Sequence, residues 1–126
     1  MKPPPFRYHA PLTTPGALAV VGEFGDEAKV LAGGQSLVPL LALRMARPEH
    51  LVDVNRIPEL AGAHVEDDTL VVGATTRHAE LIRDPEIGRS APLLAAVAPA
   101  IGHFQIRSRG TIGGSVAHAD PAAELP

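Results

Sequence analysis

Thirteen prolines stand among 126 residues, and they do more than any other feature to limit what the chain can build. Each fixes its own φ, removes a backbone donor and biases its predecessor away from helix. They are spread across element ends and do not gather into one linker, so the chain reads as a series of short elements. Pro3, Pro4 and Pro5 impose an extended entry, after which "FRYHAP" offers a short edge strand. Thr14 and Pro15 read as N-cap and first residue of the helix "GALAVVGEF", closed by Gly25. Ala28–Ala32 is an apolar run of strand length. Ser36 is an expected N-cap for "LVPLLALRM", with Pro39 in its first turn. "HLVDVN" alternates as a strand, and "AHVEDDTLVVGA" reads as a hairpin turning at Asp67 and Asp68. Thr75 or Thr76 is expected to cap "RHAELIRD", ended by Pro85. "PLLAAVAPAIG" reads as a buried helix, and His103 opens a polar–apolar strand running into Gly113 and Gly114. The order of elements gives an α+β or α/β protein without tandem repeats.

Hydrophobic residues make up 45% of the chain and charged residues 20%, a globular composition. Aromatics amount to 3%, so the core is expected to be Ala, Val, Leu and Ile. The net charge of −3 and the absence of a Lys/Arg cluster argue against nucleic acid as a partner. With no cysteine, the chain itself cannot hold an iron–sulfur cluster, a disulfide or a thiolate nucleophile. The N-terminus has no apolar signal region, and no apolar run approaches a membrane span of about 18–20 residues. The expectation is a soluble cytoplasmic protein.

Two segments share one design. Ala32, Gly33, Gly34, Gln35 and Ser36 follow a strand and precede a helix, and Thr111, Ile112, Gly113, Gly114 and Ser115 follow "QIRSRG". Consecutive glycines let backbone N–H groups approach a ligand, and a following hydroxyl adds a donor, as an anion nest for phosphate requires. A helix starting at Leu37 would add its N-terminal partial charge. A single Gly-Gly-polar stretch is more often a tight turn. Two gain meaning only if both serve one ligand. No P-loop and no dinucleotide G-x-G-x-x-G accompanies them. The six histidines show no zinc-helix spacing, although His118 and Asp120 could face one way on a strand. A Ser–His–Asp site is compatible with the residue types but lacks a G-x-S-x-G elbow. Arg107 and Arg109 either neutralise a phosphate or stand exposed on a strand.

"VLAGGQSLVPLLALRMARPEHLVDVNRIPEL" and "IGHFQIRSRGTIGGSVAHADPAAELP" resemble the FAD-binding medium subunit of molybdenum hydroxylases, the carbon monoxide dehydrogenase medium-subunit group above all. The resemblance implies an α+β, PCMH-type (vanillyl-alcohol-oxidase-type) FAD-binding fold. Residues 1–58 would form the small N-terminal α/β subdomain, complete, and residues 59–126 the truncated start of the second. It places the flavin pyrophosphate on Ala32–Ser36 and Thr111–Ser115, with Asp120 as a further flavin contact. Gln35 departs from the histidine often found in carbon monoxide dehydrogenases. The resemblance further implies a large molybdopterin-binding partner and a small partner with two [2Fe–2S] clusters. The flavin would accept electrons and pass them to an external acceptor, so no residue here need be catalytic and none a metal ligand. Because the family's flavin domain continues beyond the second motif, the isolated chain is expected to bind FAD weakly or not at all, and an unpaired sheet edge could promote self-association. The rival readings are a truncated, non-catalytic remnant and a phosphate- or nucleotide-binding domain without flavin.

Overall fold

A computed structural model describes residues 1–125. It divides into two compact units, Met1–Glu59 and Leu60–Pro126. The first is a three-stranded parallel sheet with two helices. β1 (Arg7–His9) and β2 (Ala28–Leu31) both pair in parallel with β3 (His50–Asp53), which therefore lies in the middle. Parallel neighbours require crossover connections. α1 (Thr14–Phe24) supplies one between β1 and β2, and α2 (Leu37–Ala42) supplies the other between β2 and β3. A central strand so covered is apolar on both sides, and His50, Leu51 and Val52 are all buried.

The cap of α1 is Thr13, not Thr14. Thr13 Oγ1 accepts from Gly16 N, whereas Thr14 turns its own N and Oγ1 to Glu59 Oε1 at 2.9 and 3.0 Å. Gly25 ends the helix as expected, with φ +51. The scarcity of aromatic residues is relieved by a histidine. The buried His50 ring stacks on Phe24 with centroids 3.5 Å apart, and its Nδ1 meets His9 Nε2 at 2.9 Å.

The second unit opens with the expected hairpin, β4 (Ala63–Glu66) and β5 (Thr69–Val72). Asp67 and Asp68 lie at φ +47 and +61, as a two-residue turn with both central residues left-handed requires. Short helices follow: α3 (His78–Arg83), α4 (Pro85–Ser90), α5 (Pro92–Val97), α6 (Phe104–Arg107) and α7 (Ile112–His118). Leu81, Ile87, Ala98 and Ile101 form their core, with Leu70, Val72 and Ile112 packed against it.

Several expectations change here. Thr75 and Thr76 are not caps. Both are buried and their hydroxyls donate to the carbonyls of Leu60 and Gly62; Arg77 is the cap of α3. Pro85 ends α3 but also starts α4, because Asp84 Oδ1 accepts from Glu86 N and Ile87 N. α5 itself contributes no buried residue. Its burial is confined to Ala98 and Ile101 beyond it, where Pro99 tightens the chain into a 3₁₀ turn. The strand expected from His103 is instead a single helical turn. Arg107 Nη1 stabilises it by donating to the carbonyls of Pro99, Ile101 and Gly102. That guanidinium is committed to backbone carbonyls and lies on no strand.

Candidate functional site

Ala32–Ser36 lies between β2 and α2, in neither strand nor helix. Its conformation depends on Gly34, which sits at φ +72 and whose carbonyl accepts from Val38 N. A Cβ there would stand 2.9 Å from Val38 Cγ2 and 3.2 Å from Leu31 Cδ1. Gln35 Nε2 folds back to Gly33 O at 3.2 Å. Ser36 has helical φ and ψ and makes no capping bond, which corrects its expected role and leaves its hydroxyl uncommitted. Among the described residues, the N–H groups of Gly33, Gly34, Gln35 and Ser36 donate to no protein acceptor. Four adjacent unused donors on a half-exposed loop are what an anionic group needs.

The loop is anchored from β3. Asn55 Nδ2 donates to Ala32 O at 2.8 Å and to Asp53 Oδ1 at 2.6 Å, while Val54 N donates to Leu31 O. Asp53 also accepts from the Tyr8 hydroxyl, and holding that proton raises the phenol's pKa; burial adds to the effect. Asn55 was not among the site residues the sequence pointed to. The alternation of Asp53 and Asn55 along "HLVDVN" carried the signal, since two polar residues sharing one face of a buried strand need partners.

Thr111–Ser115 differs from its expected form. Thr111 is the buried N-cap of α7, and Ile112, Gly113, Gly114 and Ser115 form that helix's first turn, so the second segment is not a loop. Four of its five backbone donors are already used, all but that of the buried Thr111: Ile112 N to Thr76 O at 3.0 Å, Gly113 N to Ala74 O at 2.9 Å, Gly114 N to Thr111 Oγ1 at 3.1 Å and Ser115 N to Thr111 O at 3.1 Å. Gly113 is required by packing, because a Cβ there would lie 2.6–2.8 Å from Ala74 Cβ, O and Cα. What remains for a ligand is the half-buried Ser115 hydroxyl.

Ser115 Oγ lies 3.0 Å from His78 Nε2. His78 is buried, and burial lowers its pKa from the ordinary imidazole value. Its Nδ1 is sealed off with no hydrogen-bond partner. A nucleophilic triad needs a carboxylate at that nitrogen, so this Ser–His pair is not one. Nothing in "RHAEL" signals the contact, whose partners are 37 residues apart.

Asp120 follows α7 on an exposed turn, where its Oδ1 accepts from Ala122 N at 2.9 Å after Ala119 takes a left-handed conformation. His118 ends the helix, so His118 and Asp120 do not share a strand face. Among the described residues, no cluster of three or more His, Asp or Glu could hold a metal ion. No helix among them is long and apolar enough to cross a membrane.

Residues 4–126 match the model of the FAD binding domain in molybdopterin dehydrogenase. Over all 126 residues the chain is 54% identical to 6-hydroxypseudooxynicotine dehydrogenase complex subunit alpha of Paenarthrobacter nicotinovorans, covering 43% of that protein. It is 50% identical to the carbon monoxide dehydrogenase medium chain of Hydrogenophaga pseudoflava, covering 44% of it. A solved structure of Hydrogenophaga pseudoflava carbon monoxide dehydrogenase lacking the Mo-pyranopterin moiety superposes with a TM-score of 0.94 at 51% identity, over 98% of this chain and 43% of that one. The chain thus spans less than half the length of these relatives.

Proposed function

From membership of the FAD-binding domain family of molybdopterin dehydrogenases, to which this chain belongs, we propose that it is the flavin-binding part of a multi-subunit molybdenum hydroxylase or dehydrogenase. On this reading the two units correspond to the first subdomain, and the opening part of the second, of a PCMH-type FAD-binding fold. Bound FAD would supply two-electron acceptance from a partner's iron–sulfur clusters and delivery to an external acceptor. The partners are a molybdopterin-binding large subunit and a small subunit with [2Fe–2S] clusters, and substrate choice rests with the large one.

The observation that carries the proposal is the set of unused N–H groups over Gly33–Ser36, held open by Gly34 and anchored by Asn55. That donor set suits a pyrophosphate and needs no cation. The two segments then contribute by different means. Ala32–Ser36 presents backbone donors, whereas Thr111–Ser115 presents one hydroxyl from a helical turn packed against Ala74. Asp120 supplies a carboxylate beyond that turn, suited to accept from a flavin hydroxyl or ring N–H. None of these residues moves a proton in the reaction; their work is to bind and orient the flavin.

FAD titration followed by quenching of flavin fluorescence tests this. Saturable binding that Gly34→Val and Ser115→Ala both weaken is the expected result. Binding indifferent to both substitutions refutes the flavin reading and favours a domain without cofactor.

A further inference from the structure

We propose that His78 is a positioning residue that donates from Nε2–H to Ser115 Oγ and thereby commits the Ser115 hydroxyl hydrogen to an outside acceptor, a flavin phosphate oxygen. This rests on the reading of Ser115 as a flavin contact. The contact of 3.0 Å can run in either direction, and the polarity follows from what happens at the other ring nitrogen. If Ser115 donated to Nε2, the neutral ring would carry its proton on Nδ1. That atom is buried without any partner, and Gly110 closes over it so tightly that a Cβ on Gly110 would lie 2.8 Å from Nδ1. The Thr111 backbone, as a hydrogen-bond partner of the ring, and the Glu124 carboxylate each oppose the lowering of its pKa in part, yet Nδ1 itself has no hydrogen-bond partner. An orphaned buried N–H is the costlier alternative, since buried donors without acceptors are rarer than under-used acceptors. The opposite tautomer leaves only a lone pair in the dry pocket and places the proton where an acceptor waits.

The surroundings fix the pair. His78 N donates to Gly110 O at 3.0 Å, which sets the start of α3 against the turn before α7. Ser115 sits in the first turn of α7, and its N–H is already bonded to Thr111 O. Its Oγ can therefore accept from His78 while its own hydrogen faces away from the ring. A serine so held acts as a one-directional donor, as an anionic oxygen requires and as a free hydroxyl rotor does not guarantee. Neutrality of the ring follows as well, because burial disfavours the charged form. The positioning needs no ion pair.

Two measurements decide it on the 126-residue chain. Long-range ¹H–¹⁵N correlation of the imidazole at pH 7.5, assigned by loss of the signals in His78→Gln, should show the Nε2–H tautomer; an Nδ1–H ring overturns the proposal whatever the chain binds. In FAD titrations, Ser115→Ala and His78→Leu should each weaken binding about five- to tenfold, the worth of one hydrogen bond. The double variant should lose no more than either single one, and His78→Gln should recover most of the loss because its amide donates from the Nε2 position. Additive losses overturn the proposal. FAD binding that Gly34→Val and Ser115→Ala leave unchanged refutes the flavin reading instead, and the tautomer measurement still decides the polarity.

Discussion

Replacing Gly113 by alanine inverts an ordinary rule. In an open helical position, glycine to alanine gains about 0.5–1 kcal/mol through lower backbone entropy in the unfolded chain. At Gly113 the new methyl would meet Ala74 Cβ at 2.6 Å, Ala74 O at 2.7 Å and Ala74 Cα at 2.8 Å. Carbon contacts are comfortable only at about 3.5–4.0 Å, so the start of α7 must retreat by roughly 1 Å from the Ala74–Thr76 segment. The retreat strains two hydrogen bonds, Gly113 N to Ala74 O and Ile112 N to Thr76 O, each worth about 1 kcal/mol net. Overpacking against backbone costs a further 1–3 kcal/mol or so. Set against the propensity gain, the balance is a loss of about 2 kcal/mol or more. Gly88→Ala, inside α4 with nothing within 4 Å of the new methyl, should gain about 0.5–1 kcal/mol. Urea unfolding followed by far-ultraviolet circular dichroism reads both. With slopes near 1–3 kcal/mol per molar, the Gly113 variant should unfold about 1 M earlier and the Gly88 variant slightly later. A Gly113 variant as stable as the parent would refute the packing argument and return that glycine to a ligand role.

Gly34→Ala places a methyl at φ +72 and 2.9 Å from Val38 Cγ2; the expected cost is about 1–2 kcal/mol in the same assay, with a larger proportional loss of FAD binding. Asn55→Leu removes the donor to Ala32 O and one of the donors to Asp53 Oδ1, leaving that from Asn55 N, so hydrogen exchange at the Val38 and Val54 amides that frame the loop should accelerate while exchange in the second unit stays unchanged. His78 has a folded pKa below its unfolded value of about 6.5, so its contribution is fully present above that value and is lost as the pH falls below it, where the unfolded chain takes up the proton first. Urea midpoints compared at pH 7.5 and 5 should therefore fall further in the wild type than in His78→Gln, and equal falls would remove His78 as the cause.

The elements that could be read from sequence are those whose signals are local. The strands of the first unit, the Asp67–Asp68 turn and the glycine stop of α1 each follow from a few adjacent residues. What escaped was decided by partners outside the element itself. Thr14 looks like a cap until Glu59 draws its donors away, and Thr75 and Thr76 look like caps until Leu60 and Gly62 take their hydroxyls. The segment after His103 has strand-like alternation, yet Arg107 folds it into a helical turn by gathering three carbonyls. α4 is a different case, since Asp84-Pro85-Glu86 spells a helix start as well as the end of α3. At the site, the glycine motifs were legible but their supports, Asn55 and His78, were not, because each acts on a residue more than twenty positions away.

That division bears on what the two glycine pairs are for. Sequence treats Gly33-Gly34 and Gly113-Gly114 as copies of one device, and composition offers no reason to separate them. Their surroundings do. Around Gly34 the glycine provides a left-handed turn that leaves neighbouring N–H groups unused, so a ligand can take them. Gly113 provides clearance from Ala74, with its N–H spent inside the protein. Any affinity the second segment adds must then come through a side chain, and Ser115 is the one in that turn with a donor to spare. A Ser115→Gly substitution should weaken FAD binding while leaving stability within about 1 kcal/mol, the cost of one first-turn glycine; Gly34→Ala, at φ +72, should weaken binding by disturbing the donors themselves. If instead Ser115→Gly bound FAD like the parent while Gly113→Ala abolished binding without unfolding the unit, the backbone of the second segment would be the ligand surface after all.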